Sequence, residues 1–508
     1  MQPQPQFYNI INDELRGSET THRVTDPRTG DELWPCPVAS TQDFEDAVAA
    51  AQKAFTTWSQ TTVPERQALL IKLAGVITAN ADELARILMK ETGKSQILAG
   101  IDIQASVGQC FYYAHNALSD EVQHEDATSR VVATHIPLGT VAAICPWNFP
   151  LILSNIKVVS ALVTGNCVIV KPSPFTPYAV MKWVELSRGI LPPGVFQVLN
   201  GGADLGAAMT EHPGIAKVSF TGTIATGRRV MAACARTLKK VTLELAGNDA
   251  CVVCADADLD RVVPAVASGG FYNAGQVCVA SKRVYVHESI YDEFLKRLVG
   301  EVQGKYSIQE DGYAPSVFGP VDNKVQYDVV KGIVEDCKSK GYDIVLGGNT
   351  EGLGKGFWLP PTIVSRPPED SVLVQQEQFG EFLCLFFQSS TDLNQAPSSR
   401  SSRGPTKTTS SSARIWPTPG WARRSTRRIW RRRSVSRGVS RPAVSGSISR
   451  RGPTAGRTSR VSRTAGSAAR WASRGCCPTR TPSACISPSE VGGSRRCWAL
   501  AIPVPVSL

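Results

Sequence analysis

Cys278 is the residue around which the chemistry of this sequence can be organised. It lies in Phe271–Tyr285 (FYNAGQVCVASKRVY), where a loop leads into an apolar element. A cysteine at such a loop exit can be reached by solvent, which a nucleophile requires. Gly275 lacks a Cβ and lets the backbone approach a ligand closely. Taken alone, Cys278 is better interpreted as a buried structural thiol, because free cysteine is among the most buried residue types.

Two further stretches change that interpretation. Glu244 lies between leucines in Val241–Asn248 (VTLELAGN), and Asn148 lies on a proline-bracketed turn in Ala143–Pro150 (AICPWNFP). A thiol, a carboxylate in apolar surroundings and a side-chain amide are the components of a nucleophile, a general base and an oxyanion stabiliser. The leucines are expected to desolvate Glu244, which would favour a role as a base. The alternative is that Glu244 is an exposed strand residue.

These motifs, in this order, resemble the aldehyde dehydrogenase superfamily from about Val24 to about Phe387. The resemblance implies an α/β fold with a Rossmann-like cofactor domain and an α/β catalytic domain, and the oxidation of an aldehyde to a carboxylic acid with NAD(P)⁺. It implies that the Cys278 thiolate adds to the aldehyde carbon, that Asn148 and the Cys278 N–H stabilise the oxyanion, and that Glu244 activates water for thioester hydrolysis. Members that pass the acyl group to coenzyme A generally lack this glutamate, so the sequence resembles the hydrolytic branch.

Signals for a cofactor follow two predicted strands. Lys171 follows the strand Cys167–Val170, and Gly222 and Thr223 follow the strand Lys217–Phe220. Glycine permits a tight strand-to-helix turn, and a threonine hydroxyl and helix N–H groups can bind a pyrophosphate. The spacing of glycines there is equally compatible with an ordinary helix cap.

The family resemblance assigns roles to these residues and to three others. Lys171 would bind the adenosine ribose, Gly222 and Thr223 the pyrophosphate, and Glu377 the nicotinamide ribose. Trp147 and Phe379 would complete the cofactor site.

Two positions depart from the family pattern near the expected cofactor. Many NAD-dependent members have a glutamate where this chain has Pro174, and most have a proline where it has Glu381. A glutamate at the first position would bind the ribose hydroxyls and repel a 2′-phosphate, and proline does neither. NAD is the expected cofactor, and NADP remains open. Trp147, Phe149 and Phe271 suggest an apolar opening for the substrate, whose identity the sequence does not give.

The elements that must position these residues can be predicted from periodicity. From residue 140, apolar strands alternate with helical segments, which predicts a parallel sheet covered by helices. Its ligand is expected at the carboxyl ends of the strands. Upstream, Asp26–Gly30 is predicted to turn a hairpin. Thr41 is predicted to cap a helix, a second helix to begin at Pro64, and a third to end near Gly93.

The domain boundaries follow from these elements and the resemblance. Residues 1–122 and 138–246 are predicted to form the NAD(P)-binding domain, and residues 247–392 a truncated catalytic domain. Residues 123–137 lie in a polar, alternating stretch that is predicted to be an exposed strand. In the family, this region is an arm that pairs with a neighbouring subunit, so a homo-oligomer is implied.

The net charge of +11 is unevenly distributed. Residues 393–508 contain 22 arginines and one lysine against one acidic residue, so the remaining chain is acidic. No family motif occurs in this segment, and its composition is typical of out-of-frame translation of a GC-rich sequence. We therefore expect a frameshift product that is disordered, because it buries too little apolar surface to offset its ordering entropy.

The composition bears on alternative functions and on location. The arginine-rich segment lacks interleaved aromatic residues, which disfavours a nucleic-acid-binding protein. A catalytically impaired relative is the stronger alternative, because the C-terminal part of the family fold is missing. The 14 irregularly spaced cysteines predict a reducing, cytoplasmic location, and the pair Cys251 and Cys254 is better interpreted as part of a strand than as a redox motif. The sequence predicts no metal site, signal peptide or membrane span.

Overall fold

The computed structural model describes residues 5–306, 318–351 and 353–388 of the 508-residue chain. The strands are β1 Asn9–Ile11, β2 Glu14–Arg16, β3 Thr21–Thr25, β4 Glu32–Pro37, β5 Glu121–Glu125, β6 Arg130–Ala133, β7 Thr140–Ile144, β8 Cys167–Lys171, β9 Phe196–Val198, β10 Ile215–Gly222, β11 Lys240–Leu245, β12 Asp249–Val253, β13 Ser281–His287, β14 Asp343–Leu346, β15 Thr362–Ser365 and β16 Phe382–Gln388. The helices are α1 Thr41–Trp58, α2 Val63–Ala79, α3 Ala81–Thr92, α4 Gln96–His115, α5 Pro150–Val163, α6 Tyr178–Leu186, α7 Ala203–Glu211, α8 Ile224–Ala235, α9 Leu259–Phe271, α10 Tyr291–Lys305, α11 Lys324–Ser339 and α12 Val372–Gln375.

The first sheet has the strand order β11-β10-β7-β8-β9-β1-β2. The strands from β11 to β9 in this order run parallel, whereas β1 pairs antiparallel with β9 and β2. Every residue of β7 and β8 is buried. Apolar runs such as TVAAI and CVIVK suit this position, because helices cover a parallel sheet on both faces. The predicted α/β fold is confirmed, with an antiparallel edge that the sequence did not indicate.

The second sheet has the strand order β12-β13-β16-β15-β14. Its strands run parallel except for the antiparallel pair of β14 and β15. β12 contains Cys251 and ends at Val253, just before Cys254. The prediction of a strand is therefore confirmed for Cys251, whereas Cys254 lies just beyond the strand.

Local signals fix the helix ends of the N-terminal region. Ser40 caps α1 and Thr62 caps α2, each in a reciprocal capping box. Thr41 was predicted to be the cap but is the first helical residue, so the cap lies one residue earlier. Gly93 ends α3 in the left-handed conformation with φ of 69°, as glycine does most readily.

Residues 120–136 form a unit of their own among the described residues. β5 and β6 pair antiparallel there, so this region is a hairpin and not a single strand. Val122, Val131 and Val132 are 48%, 53% and 40% exposed.

Residues 393–508 lie outside the described residues, and so do the expectations of disorder and of a frameshift origin for them. No helix within the described parts of the chain has both the length and the apolar character needed to cross a membrane.

Candidate active site

The loop that carries Cys278 is shaped by left-handed backbone. α9 ends at Phe271, and Asn273, Ala274 and Gly275 follow with φ of 52°, 54° and 69°. An alanine in this region stores strain of about 1–2 kcal/mol. A Cβ on Gly275 would lie 2.0 Å from the Gly380 carbonyl oxygen, so glycine is needed there for a close backbone approach. The sequence had suggested a close approach to a ligand, and the structure shows instead an approach to another loop of the protein.

Cys278 is half-buried, and its environment favours the neutral thiol. Burial raises its pKa above the ordinary value, and the charges of Glu377 and Glu244 raise it further. A thiol in this environment needs a base or a nearby cation to form the thiolate at neutral pH.

Asn148 lies on the turn between β7 and α5 and is only 4% exposed. Its Nδ2 donates to the Gln276 carbonyl oxygen at 3.0 Å, two residues before Cys278. The Asn273 amide donates in turn to the Asn148 carbonyl oxygen at 3.3 Å. These bonds bring the predicted oxyanion donor to the loop of the predicted nucleophile, although the two are 130 residues apart in the chain.

Glu244 lies near the end of β11 and is exposed. The expectation that its neighbouring leucines desolvate it is therefore wrong. β11 is an edge strand of the first sheet, paired only with β10 among the described residues, so its flanking leucines are only half-buried. Three residues later, a Cβ on Gly247 would lie 2.4 Å from the Cys278 carbonyl oxygen. The segment that carries Glu244 thus passes directly against the nucleophile loop.

Lys157 on α5 is a site residue that the sequence motifs did not reveal. Its Nζ donates to Thr221 Oγ1 at 2.6 Å, and Thr221 is the strand partner of Glu244. Burial lowers the pKa of Lys157, while the charges of Cys145, Glu244 and Cys278 counter this effect. Lys157 therefore supplies positive charge to the surroundings of both predicted catalytic groups. The available sequence signal was that Lys157 is the one charged residue in the helix Pro150–Val163.

The turn from β10 to α8 has the form of an anion site. Gly222 ends β10, and a Cβ there would lie 2.6 Å from the Phe220 ring. Thr223 caps α8, with its hydroxyl accepting from the Thr226 N–H at 3.3 Å. Thr223, Ile224 and Ala225 are exposed, so the first turn of this helix can meet a phosphate.

Trp147 lies just after β7, the neighbour of β10, and Lys171 lies at the end of β8, the strand beyond β7. Lys171 ends β8 and is 4% exposed, and its Nζ donates to the Pro172 carbonyl oxygen at 3.0 Å. Burial lowers its pKa to about 8. Trp147 follows β7 and packs edge-on against Phe379 with ring centroids 5.1 Å apart. Because β10, β7 and β8 are adjacent, these turns lie side by side at one edge of the sheet.

Glu377 joins the cofactor region to the nucleophile region. Its Oε1 accepts from the Gly247 N–H at 3.2 Å, and burial raises its pKa to about 7 despite this bond and the charge of Lys282. Phe379 has a φ of 41°, which a bulky residue rarely adopts. Such strain is common where a backbone is held for a ligand.

Lys282 and Glu381 are buried beside this loop and were not predicted to be site residues. The Lys282 Nζ donates to the Gly380 carbonyl oxygen at 2.6 Å. Neither carboxyl oxygen of Glu381 has a hydrogen-bond partner within the described ranges. Burial raises the pKa of Glu381 well above its usual range and lowers that of Lys282 to about 8. Glu381 stands where the resemblance leads one to expect a proline.

The aromatic residues proposed for the substrate opening separate into different environments. Phe271 is fully buried in the core of the second sheet, so it does not line an opening. Trp147 packs on Phe379, as described above. Phe149 is half-buried and stacks with Tyr272, with ring centroids 6.4 Å apart.

Comparisons with known proteins agree with this fold. The sequence model of the Aldehyde dehydrogenase family matches residues 15–396. The aldehyde dehydrogenase LUC3 of Fusarium sp is 42% identical over 75% of this chain and 80% of its own length. The D-glyceraldehyde dehydrogenase (NADP(+)) of Picrophilus torridus is 34% identical over 75% of this chain and 79% of its own. The NAD⁺ complex of an aldehyde dehydrogenase from Bacillus cereus superposes with a TM-score of 0.73 at 31% identity, covering 77% of this chain and 81% of that one.

The fold and these relatives define an NAD(P)-dependent oxidoreductase. This chain belongs to the aldehyde dehydrogenase family.

Proposed function

We propose that this protein oxidises an aldehyde to a carboxylic acid with Cys278 as the nucleophile, Asn148 as the oxyanion donor and Glu244 as the base. The observation that carries this assignment is the hydrogen bond from Asn148 Nδ2 to the Gln276 carbonyl oxygen at 3.0 Å. It brings the side-chain amide to the loop that presents the thiol. The contact of Gly247 with the Cys278 carbonyl supports placing the Glu244 segment beside them.

The first step adds the thiol to the aldehyde carbon. The Cys278 sulfur forms the new C–S bond, and the carbonyl oxygen becomes an oxyanion. The Asn148 amide and the Cys278 N–H donate to that oxygen, and one such donor contributes about 3–4 kcal/mol to transition-state stabilisation. The thiol proton must leave. Glu244 is proposed to accept it, and the positive charge of Lys157, which interacts with both Glu244 and Cys278, would favour the thiolate.

The second step needs a hydride acceptor, which NAD(P)⁺ supplies when it is bound. The residues available to hold it fit this group: the exposed first turn of α8 suits a pyrophosphate, and Lys171 and Glu377 suit ribose hydroxyls. The Bacillus cereus relative was solved with NAD⁺, and the Picrophilus torridus relative is named for NADP⁺. We assign NAD as the favoured cofactor and leave NADP open, since Pro174 does not repel a 2′-phosphate.

The third step releases the product. Loss of hydride leaves a thioester on Cys278, and Glu244 activates the water that hydrolyses it to a carboxylic acid and the free thiol. The exposure of Glu244 suits this role, because the base must meet water from the solvent.

The oligomeric state and location are further parts of this proposal. Three exposed valines on the β5–β6 hairpin support a homo-oligomer in which this arm pairs with another subunit. The free cysteines of the described residues support a reducing, cytoplasmic location. A catalytically impaired relative remains the second candidate, because the family match ends at residue 396 of 508.

The nucleophile assignment is tested by Cys278→Ala. We expect NADH formation with a panel of aliphatic and aromatic aldehydes to be abolished, while NAD binding measured by fluorescence titration is retained, because the thiol acts on the aldehyde. Cys254→Ala removes another partly exposed thiol and is the matched control, with activity expected to be unchanged. Full turnover by Cys278→Ala would refute the assignment.

A further inference from the structure

Lys94 and Asp102 form a buried ion pair outside the set of residues assigned above. The Lys94 Nζ lies 3.0 Å from Asp102 Oδ2, and the two side chains are 2% and 0% exposed. Lys94 follows the end of α3, and Asp102 lies within α4. Taking two charges out of water is costly, so a buried pair is weak evidence of a gain in stability. Its contacts indicate another use.

The second oxygen of Asp102 holds the start of α5. Asp102 Oδ1 accepts from the Ile152 N–H at 2.7 Å. α5 begins at Pro150, and its N-cap residue Phe149 makes no side-chain capping bond. The first N–H groups of a helix have no partner within the helix, and a carboxylate is favoured at this end of the helix dipole. Asp102 therefore caps α5 from a different helix.

Lys94 contacts the same turn from its other side. Its Nζ lies 4.0 Å from the centroid of the Phe149 ring, a cation–π distance. Phe149 directly follows Asn148 and stacks on Tyr272, which directly precedes Asn273. The ion pair thus touches the turn immediately after the proposed oxyanion donor at two points.

Two other carboxyls lie near Lys94 and have different roles. Glu91 accepts from the Tyr178 and Ala179 N–H groups, and burial raises its pKa to about 8. Burial raises the pKa of Asp322 well above its usual range. The Lys94 Nζ donates to Asp102 Oδ2, so Asp102 is the hydrogen-bonded counter-ion of Lys94.

We propose that the Lys94–Asp102 pair is the positioning device of the Asn148 oxyanion donor. The pair fixes the Phe149–Ile152 turn, and through it the direction of the Asn148 amide. Neither residue touches the reacting atoms, so both are positioning residues. This inference rests on the proposed role of Asn148. Since the oxyanion develops in the transition state, loosening the turn should slow chemistry more than it weakens cofactor binding.

The test is a double-mutant cycle between Asp102→Asn and Asn148→Ala in the full-length chain. Asp102→Asn keeps the shape and an acceptor for Ile152 but removes the charge opposite Lys94. We expect it to lower the pre-steady-state rate of NADH formation about 10- to 100-fold, with NAD affinity within about twofold of wild type. If Asp102 acts through Asn148, Asp102→Asn should lower the rate of NADH formation little further when Asn148 is already alanine.

Two controls keep the result decisive. Asp26→Asn breaks the Lys90–Asp26 pair, which has the same 3.0 Å separation and a buried carboxylate but a lysine that is 53% exposed, and it should leave the rate unchanged. Lys94→Gln should reproduce both the loss and the non-additivity, and it replaces Asp102→Asn if that variant does not fold. One contrary result is that Asp102→Asn lowers the rate by the same factor in the wild-type and the Asn148→Ala backgrounds, and another is that Asp26→Asn lowers it as much as Asp102→Asn does. Either result would overturn this inference and leave the proposed function standing. An unchanged rate in Asn148→Ala, or no NADH from the wild-type chain, would overturn the proposed function with it.

Discussion

Gly247 is the residue at which the proposed roles meet. Its backbone contacts the Cys278 carbonyl, and its N–H donates to Glu377. Any side chain at this position would collide with the nucleophile loop, since the nearest atom would be 2.4 Å from the Cβ. Because Gly247 has no side chain, the loop of Cys278, the segment of Glu244 and the side chain of Glu377 can lie close together there.

The proposed contact of Glu377 with the nicotinamide ribose predicts that cofactor binding is sensitive to pH. Its pKa is about 7, so the carboxylate is lost as the pH falls through neutrality. A hydrogen bond to a charged group is worth about 1 kcal/mol more than one to a neutral group. We therefore expect the dissociation constant for NAD, measured by fluorescence titration, to rise about fivefold between pH 8 and pH 6.

Glu377→Gln is the control for this pH dependence. Its amide keeps an acceptor oxygen and has no proton to gain in this range, so its affinity for NAD should be lower at pH 8 and nearly constant to pH 6. The same pH dependence in Glu377→Gln and in wild type would exclude Glu377 as its source.

At the scale of elements, α5 organises the proposed site. Asn148 precedes its first turn, Asp102 caps that turn, and Lys157 lies on a later turn near Glu244 and Cys278. The Rossmann-like sheet supplies the turns proposed to bind the cofactor, because β10, β7 and β8 end side by side. One helix and three strand ends therefore hold side chains that are far apart in the sequence.

The turn after β8 should decide between NAD and NADP. Pro174→Glu places a carboxylate where the resemblance implies a ribose ligand. We expect the affinity for NADP to fall at least tenfold, about 1.4 kcal/mol, because the carboxylate repels the 2′-phosphate, while NAD affinity is kept or improved. The glutamine of Pro174→Gln has the shape of the glutamate without its charge, so this variant should not discriminate between NAD and NADP. An equal loss of affinity for both cofactors in Pro174→Glu would contradict this account.

The sequence predicted the elements well where the signal was local. Apolar strands at residues 140–222, the turn at Gly93 and the strand at Cys251 follow from periodicity and from glycine, and the structure confirms them. It failed where the environment depends on distant neighbours. Glu244 is exposed because β11 lies at a sheet edge, and Phe271 is buried because α9 packs on the second sheet. Neither the exposure of Glu244 nor the burial of Phe271 can be predicted from the residues that flank them in the sequence.

Several site residues were missed for the same reason. Lys282 and Asp102 are charged residues in an ordinary strand and helix, and nothing in their local patterns separates them from surface charges. For Lys157 the local signal was only that it is the one charged residue of α5. Only the fold shows that they are buried and which groups they meet. The roles assigned to Cys278 and Asn148 came from a family resemblance.

For the molecule as a whole, the family match ends close to the point at which the composition changes. The match stops at residue 396, and the arginine-rich segment begins near residue 393. The described residues still contain both sheets and each proposed catalytic group. The predicted domain boundary at residue 246 and the origin of residues 393–508 remain predictions.

The most direct test of the whole account is to trap the acyl group on the protein. Glu244→Gln is mixed with NAD⁺ and an aldehyde that the wild type oxidises, and the digested protein is analysed by mass spectrometry. We expect one burst of NADH followed by slow turnover, with the acyl mass added to the peptide that contains Cys278, because thioester hydrolysis lacks its base. Sustained wild-type turnover without an adduct, or an acyl group on a different cysteine, would contradict the account.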